Sequence, residues 1–332
     1  MSRISPDHTA IVGGPEARGV WVSPTPQLLY GDVKGWAELA KIECARIPGY
    51  WIHAKELHVN AGARPKEYER VLYYLHGGYY CICSAHPDDV TAKNARSIMQ
   101  HSPSITRTFS IEYRRTTGPW DAPINPFPAA LLDAIAGYNY LVNEVGFSPD
   151  DIIVAGDSSG GNLALALVRD IAEACDAKVR QALPTPSQLV LLSPWTDMGV
   201  RGYAPGSSVY TNIHTDYLDM TSPLHSLIIY RFVSSFGRQF AASNRFLSPG
   251  ADPHFAEPAS FEGFPRTIII SGGVETFRDQ IRTLYSRMSE TMGKDVCYLE
   301  FPDAVHCFIV VPSHEQERDE ALGAISRWID NN

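Results

Sequence analysis

The chain has 332 residues and a mass of 36.7 kDa, room for one large domain or two smaller ones, and its 44% hydrophobic and 20% charged composition excludes wholesale disorder. Its 28 basic and 37 acidic residues sum to −9 with histidines neutral, and the cations are scattered, so a nucleic acid or an anionic membrane has no electrostatic footprint here. No apolar run reaches the roughly 18 residues that a membrane span needs. The opening MSRISPDHTAIVGGPE has neither the charged nor the apolar region of a secretory signal, so a cytosolic protein without membrane insertion is expected. Cys44, Cys81, Cys83, Cys175, Cys297 and Cys307 sit mostly in hydrophobic runs and read as reduced, core-packing thiols.

In chain order, residues 1–50 are rich in Trp and Tyr and carry no clean strand pattern. Apolar runs bounded by glycines or polar turns then begin at VLYYLHGG (71–78) and ITRTFSIEY (105–113). Leu131, Ile135, Tyr138 and Val142 recur at helical spacing. The run DIIVAGDSSGG (151–161) leads into a second helical stripe, Leu163, Leu167 and Ile171, and QLVLLSPW (188–195) follows. Residues 200–245 again break the alternation, with aromatic residues and histidines but no strand. After them come RTIIISGG (266–273), the stripe Phe277, Ile281, Leu284, Met288, the run CYLEF (297–301), and a terminal helix with Leu322, Ile325 and Trp328 on one face. Strands alternating with helices predict a mostly parallel central sheet flanked by helices, and residues 1–332 read as one α/β domain. The two irregular stretches, about 1–50 and 200–245, are expected to form a helical cap over the functional end of the sheet, with ordinary surface packing as the alternative. Trp21, Tyr30, Trp36, Tyr50 and Trp51 then belong either to the core of that cap or to the wall of an apolar pocket.

Gly156-Asp157-Ser158-Ser159-Gly160 lies between an apolar run and a helical stripe, and strand, tight turn and helix in that order make G-x-S-x-G a nucleophile elbow. The glycines allow a strained turn that presents the central Ser158, and the helix N-terminus behind it favours developing negative charge. A phosphate loop is the other functional reading of such a turn, but the pattern lacks the Lys-Ser/Thr ending.

A serine hydroxyl is a weak nucleophile until a base takes its proton, so the chain must also supply a histidine, a carboxylate and an oxyanion hole. His76-Gly77-Gly78-Tyr79 ends an apolar strand, and consecutive glycines let the backbone N–H groups of Gly77, Gly78 and Tyr79 turn toward one point, with His76 pinning the loop. His306 lies just beyond the final strand, where a triad histidine belongs. The acid should leave the strand RTIIISGG, and Glu275 comes straight off it, whereas Asp279 is already a turn into the next helix. Tyr80 and Trp195, beside these motifs, are candidate substrate contacts. Cys81-x-Cys83 lacks a second pair, and His53 and His58 have the wrong spacing for a zinc helix, so no metal and no cofactor is expected.

With these motifs in register, residues 70–330 resemble the hormone-sensitive-lipase-like, or family IV, serine esterases of the α/β-hydrolase fold. The resemblance rests on His76-Gly77-Gly78 with His86, Glu112-Tyr113-Arg114, Phe127-Pro128 through Asp133, Gly156 through Asn162, Ser193-Pro194-Trp195, Glu275 through Asp279, and His306. It implies Ser158 as nucleophile, His306 as base, Glu275 as the acid, and the N–H groups of Gly78, Tyr79 and Ser159 as the oxyanion hole. Three departures stand out. Tyr79 replaces the third glycine of H-G-G-G and should crowd the acyl side of the hole; Glu275 replaces the commoner Asp; and Tyr113-Arg114-Arg115-Thr116-Thr117-Gly118 replaces Y-R-L-A-P-E, which alters the loop beneath the site.

The resemblance implies hydrolysis of a carboxylic ester of a small apolar compound, with a short acyl or acetyl group, in secondary metabolism for instance. Other activities on the same scaffold are an amidase of the arylformamidase type, acyl transfer or cyclisation in a biosynthetic pathway, and a ligand receptor without catalysis. His306 argues against the receptor. The expected partner is a small-molecule ester, and a homodimer through the end of the sheet is one arrangement open to the family.

Overall fold

The computed structural model describes residues 7–14, 16–117, 122–199, 205–252, 254, 256 and 259–331. Residues 1–6, 15 and 200–204 of the two irregular stretches, and Gly118 of the altered loop motif, lie outside the described residues.

Eight strands form one sheet: β1 (Arg18–Val22), β2 (Ile47–His53), β3 (Arg70–Leu75), β4 (Ile105–Ile111), β5 (Ile152–Asp157), β6 (Gln188–Leu192), β7 (Arg266–Gly272) and β8 (Val296–Phe301). Their order is β1-β2-β4-β3-β5-β6-β7-β8, parallel from β4 to β8, with β1 and β2 antiparallel at one end. The helices are α1 (Gly31–Ala40), α2 (Ala92–His101), α3 (Ala129–Asn139), α4 (Ser159–Asp176), α5 (Ser208–Thr211), α6 (Pro223–Phe232), α7 (Arg238–Ser243), α8 (Arg278–Met292) and α9 (Glu315–Asp330).

Side chains alternate across the pleat, and helices cover both faces, so the central strands carry apolar residues toward both sides. Val71, Tyr73, Leu75, Val154, Leu189 and Leu191 point to one side, where the stripes of α3, α4 and α8 close over them. Leu72, Tyr74, Ile153, Ala155, Val190 and Leu192 point to the other, against Ala95 and Ile98 of α2 and Leu322 and Ile325 of α9. All six apolar runs of the sequence are strands.

The N-terminal stretch does not lie wholly over the sheet, as expected of a cap. It supplies β1 and most of β2, and Tyr50 and Trp51 are buried within the sheet layers. Gly49 of β2 is required there, because a Cβ would stand 2.5 Å from the Phe109 ring of β4. What remains outside the sheet is α1, whose Trp36 meets Phe127, Phe240 and Phe246 at ring-centroid distances of 5.3, 5.6 and 5.0 Å. Helices α6 and α7 join the same cluster, with Phe127 donating its N–H to Phe232 O at 2.7 Å. One aromatic seam thus binds 31–40 and 223–243 to the connection between β4 and α3.

Candidate active site

The parallel strands end together, and each contributes a loop to one edge of the sheet. At the tip of β5, Ser158 adopts φ 51° and ψ −120°, a conformation that costs a non-glycine residue on the order of 1–3 kcal/mol. Two backbone bonds hold it there: Ser158 N–H donates to Leu192 O at 3.0 Å, and Trp195 N–H donates to Ser158 O at 2.9 Å. The glycines fit close approaches. A Cβ on Gly156 would strike the Gly160 carbonyl, and one on Gly160 would strike those of Leu75 and His76. The elbow and the end of β3 are therefore in backbone contact.

That contact is reinforced by Asp157. Its Oδ1 accepts the Tyr74 hydroxyl at 2.5 Å and the Gly77 N–H at 2.9 Å. Gly77 is thereby removed from the expected oxyanion donors, because its N–H is spent on a buried carboxylate. Among the described residues, the N–H groups of Gly78, Tyr79 and Ser159 have no acceptor in the chain. Gly78, Tyr79 and Tyr80 have φ of 115°, 55° and 60°, a left-handed run that departs from the direction of β3. His76 stacks on Tyr113 with ring centroids 4.2 Å apart, and Tyr113 Oη donates to His76 O at 2.8 Å. Burial pushes its pKa down to about 4, so the ring is neutral and its Nδ1–H donates to Gly77 O at 2.7 Å.

The altered loop beneath the site keeps its supports. Arg114 pairs with Asp133 of α3 at 2.9 Å, Arg115 donates to Cys81 O at 2.7 Å, and Thr116 N–H donates to Tyr80 O at 2.8 Å.

Glu275 leaves β7 and is fully buried. Its Oε2 accepts from Ser193 Oγ at 2.7 Å and from Gly272 N–H at 2.8 Å, while Oε1 faces His306 Nδ1 at 3.6 Å. Ser193 Oγ also accepts the Cys307 N–H at 3.0 Å, so one hydroxyl bridges the acid and the segment after the histidine. Asp279 is elsewhere: it accepts the N–H of Ser208 at 2.7 Å and pairs with Arg278 at 2.9 Å. Burial alone lowers the pKa of His306, but Glu275, with Asp216 and Asp157 behind it, outweighs burial, and the imidazole titrates above its ordinary value. His306 Nε2 rests 3.4 Å from Cys307 Sγ, and among the described residues it makes no hydrogen bond to Ser158.

Neither expected substrate contact stands open. Tyr80 is 2% exposed, stacks on Phe232 at 4.1 Å and donates its hydroxyl to Asn162 Oδ1 at 2.8 Å, so it is core between β3 and α6. Trp195 is 1% exposed and lies between Phe277 and Tyr79, backing the Tyr79 ring. His225 of α6, which no sequence pattern marks, packs on both Tyr79 and Trp195, with centroids 5.7 and 5.1 Å away. The structural use of Asp157 and Ser193 is equally hidden, because their partners lie about 80 residues away in sequence. No local pattern announces such contacts. Among the described residues, no helix is long and apolar enough to cross a membrane, and no group of three His, Cys, Asp or Glu side chains is placed to hold a metal ion.

A family profile described as alpha/beta hydrolase fold matches residues 72–310. An acetyl-hydrolase of Streptomyces hygroscopicus is 29% identical over 241 residues, spanning 71% of this chain and 67% of the relative. Esterase LipU of Mycobacterium tuberculosis is 26% identical over 262 residues, 78% of this chain and 77% of the relative. A solved hormone-sensitive lipase from a metagenome library superposes with a TM-score of 0.63 at 28% identity, covering 85% of this chain and 81% of that one. The chain belongs to the alpha/beta hydrolase fold family, in its hormone-sensitive-lipase-like branch of esterases.

Proposed function

We propose that the protein hydrolyses carboxylic esters with a short acyl group through an acyl-enzyme on Ser158. The observation that carries this reading is the strained elbow at Ser158, together with the N–H groups of Ser159, Gly78 and Tyr79, which have no acceptor among the described residues. Three backbone donors without acceptors suit the oxyanion of a tetrahedral intermediate.

In this reading, Glu275 holds the Nδ1–H tautomer of His306, leaving Nε2 free of its proton. When an ester enters, Nε2 leaves the Cys307 thiol and takes the Ser158 proton as Oγ attacks the acyl carbon. The oxyanion collapses, the alcohol leaves with the proton that His306 returns, and water repeats the sequence to free the acid. Because His306 must be neutral to act and its pKa is raised, activity should fall on the acid side at a higher pH than an unperturbed imidazole would give. His76 and His225, both pushed down to about 4 by burial, stay neutral across that range.

The Tyr79 ring, wedged against Trp195 and His225, supports a short acyl group, as does the similarity to an acetyl-hydrolase. The test is turnover of p-nitrophenyl acetate by the native protein and by Ser158→Ala. A loss of at least about a thousandfold in the variant is expected. Equal turnover in the two proteins would remove Ser158 from the chemistry.

A further inference from the structure

The loop carrying Glu275 is gripped by the insertion between β6 and β7. Asn212 Nδ2 donates to Glu275 O at 2.9 Å, Thr215 Oγ1 to Val274 O at 3.0 Å, and Ser208 Oγ to Thr276 O at 2.9 Å. Each of these holds the acid loop alone. Asp216, from the same segment, does more: its Oδ2 accepts the Thr276 N–H at 2.8 Å and the Thr276 hydroxyl at 3.2 Å, while its Oδ1 accepts the His306 N–H at 3.3 Å and that of Tyr217 at 2.9 Å. One carboxylate from outside the α/β core thus binds the residue after the acid and the base itself.

We propose that Asp216 is a positioning residue, which fixes the spacing of Glu275 and His306 and stabilises the imidazolium that forms when His306 takes the Ser158 proton. The proposal rests on the esterase reading above. Four donors converge on two oxygens, a load that only a carboxylate can accept in full. The site has cause for such a brace, since Nδ1 and Oε1 stand 3.6 Å apart, beyond hydrogen-bond length, and small loop shifts decide whether they close.

The charges around the ring complete the argument. His306 is faced by Glu275 from the loop after β7, by Asp157 from β5, by Asp216 and the Tyr217 ring from the insertion, and by the Cys307 thiol from its own loop. Burial raises the pKa of the Cys307 thiol, which stays neutral, and the Tyr217 phenol, on a residue 61% exposed, is uncharged as well. Asp216 also faces Tyr79, another phenol that burial keeps protonated. The carboxylates are therefore the charges that favour the imidazolium, and Asp216 is the one supplied by the insertion. Movement of the insertion is thereby tied to the basicity of His306.

The experiment is the pH dependence of kcat and kcat/KM on p-nitrophenyl acetate for the native protein, Asp216→Asn and Asp216→Glu, with Ser158→Ala alongside. In Asp216→Asn, a donor amide replaces one accepting oxygen and the charge is gone. The expected result is a fall in kcat of about ten- to a hundredfold with KM within about twofold, and an acid limb displaced toward lower pH by roughly half a unit or more. Asp216→Glu keeps the charge on a longer arm, so kcat should fall while the acid limb stays at its native pH. An unchanged kcat in Asp216→Asn, or a lower kcat with the acid limb unmoved, overturns the proposal. If Asp216→Asn does not fold, an acid limb in Asp216→Glu that moves to lower pH overturns it equally. Ser158→Ala as active as the native protein overturns the esterase reading instead, and the two failures are distinct.

Discussion

Ser158 and its proposed oxyanion donors stand on the β3 and β5 side of the site, where backbone meets backbone: the elbow carbonyls and N–H groups bond to β6 and its following loop, and glycines allow the contact. Glu275 and His306 stand on the β7 and β8 side, where side chains such as Ser193 and Asp216 bridge separate loops. The first arrangement joins adjacent strands of the sheet, with the Asp157 carboxylate between them. The second is assembled from distant segments and keeps its central pair at 3.6 Å. The difference suits the proposed chemistry, in which an oxyanion hole must be preorganised, whereas a base has to move a proton between partners.

Glu275→Gln breaks the side-chain half and should have the largest effect among the changes considered next. The new amide can keep an oxygen for Ser193 Oγ and Gly272 N–H, which turns its NH₂ toward His306 Nδ1. Nδ1 then becomes an acceptor, the proton moves to Nε2, and the base is in the wrong tautomer. We expect kcat/KM to fall on the order of a thousandfold or more, with little change in thermal stability. The residual activity should extend to lower pH, because the first of the carboxylates that raise the His306 pKa is gone. A pH profile of the variant checks both, and a fall of less than about tenfold would demote Glu275 from its proposed role.

Gly160→Ala breaks the backbone half. The added methyl meets the carbonyls of Leu75 and His76, and neither can yield without moving the end of β3 and the oxyanion loop. Overpacking of this kind costs about 1–3 kcal/mol or more, so both the melting temperature and kcat should fall. This sharpens the contrast, since Glu275→Gln should spare the fold and Gly160→Ala should not. A variant with native melting temperature and native kcat would show that the elbow has slack.

The same contrast explains what could be read from sequence. The nucleophile half is encoded within Ile152–Gly161 and Val71–Tyr79, where apolar runs, glycines and a serine are contiguous, so periodicity and turn chemistry locate it. Their place after strands singles out Glu275 and His306 in the sequence, and the structure brings the two together, but nothing in the sequence marks the braces: Asp216 to His306 spans 90 residues, and no spacing rule reaches that far. Gly77 reads as a donor in the sequence, which cannot show that Asp157 takes its N–H. Tyr80 looked like a pocket residue because the reversal of the chain at Gly78–Tyr80 decides which tyrosine faces inward. β2 is hidden in the sequence for another reason. Pro48 and Gly49 are strand breakers by composition, yet near the sheet's end Pro48 O still accepts the Glu112 N–H and Gly49 makes room for Phe109. The run Tyr50-Trp51-Ile52 was the signal available for that strand.

Tyr79 joins the two halves, and its replacement by glycine should have the smallest and most specific effect. Its N–H belongs to the oxyanion loop, while its ring packs edge-on against Trp195 and against His225 of the insertion. At φ 55° the backbone already adopts a conformation natural to glycine, so Tyr79→Gly removes the ring without adding strain and leaves the N–H in place. The fold and turnover of p-nitrophenyl acetate should persist. The ratio of octanoate to acetate turnover should rise by about tenfold or more, since a few methylenes gain space that the phenol occupied. An unchanged ratio would assign acyl length to the insertion rather than to the oxyanion loop. A loss of acetate turnover would show instead that the ring holds the loop, making the backbone half dependent on the side-chain half.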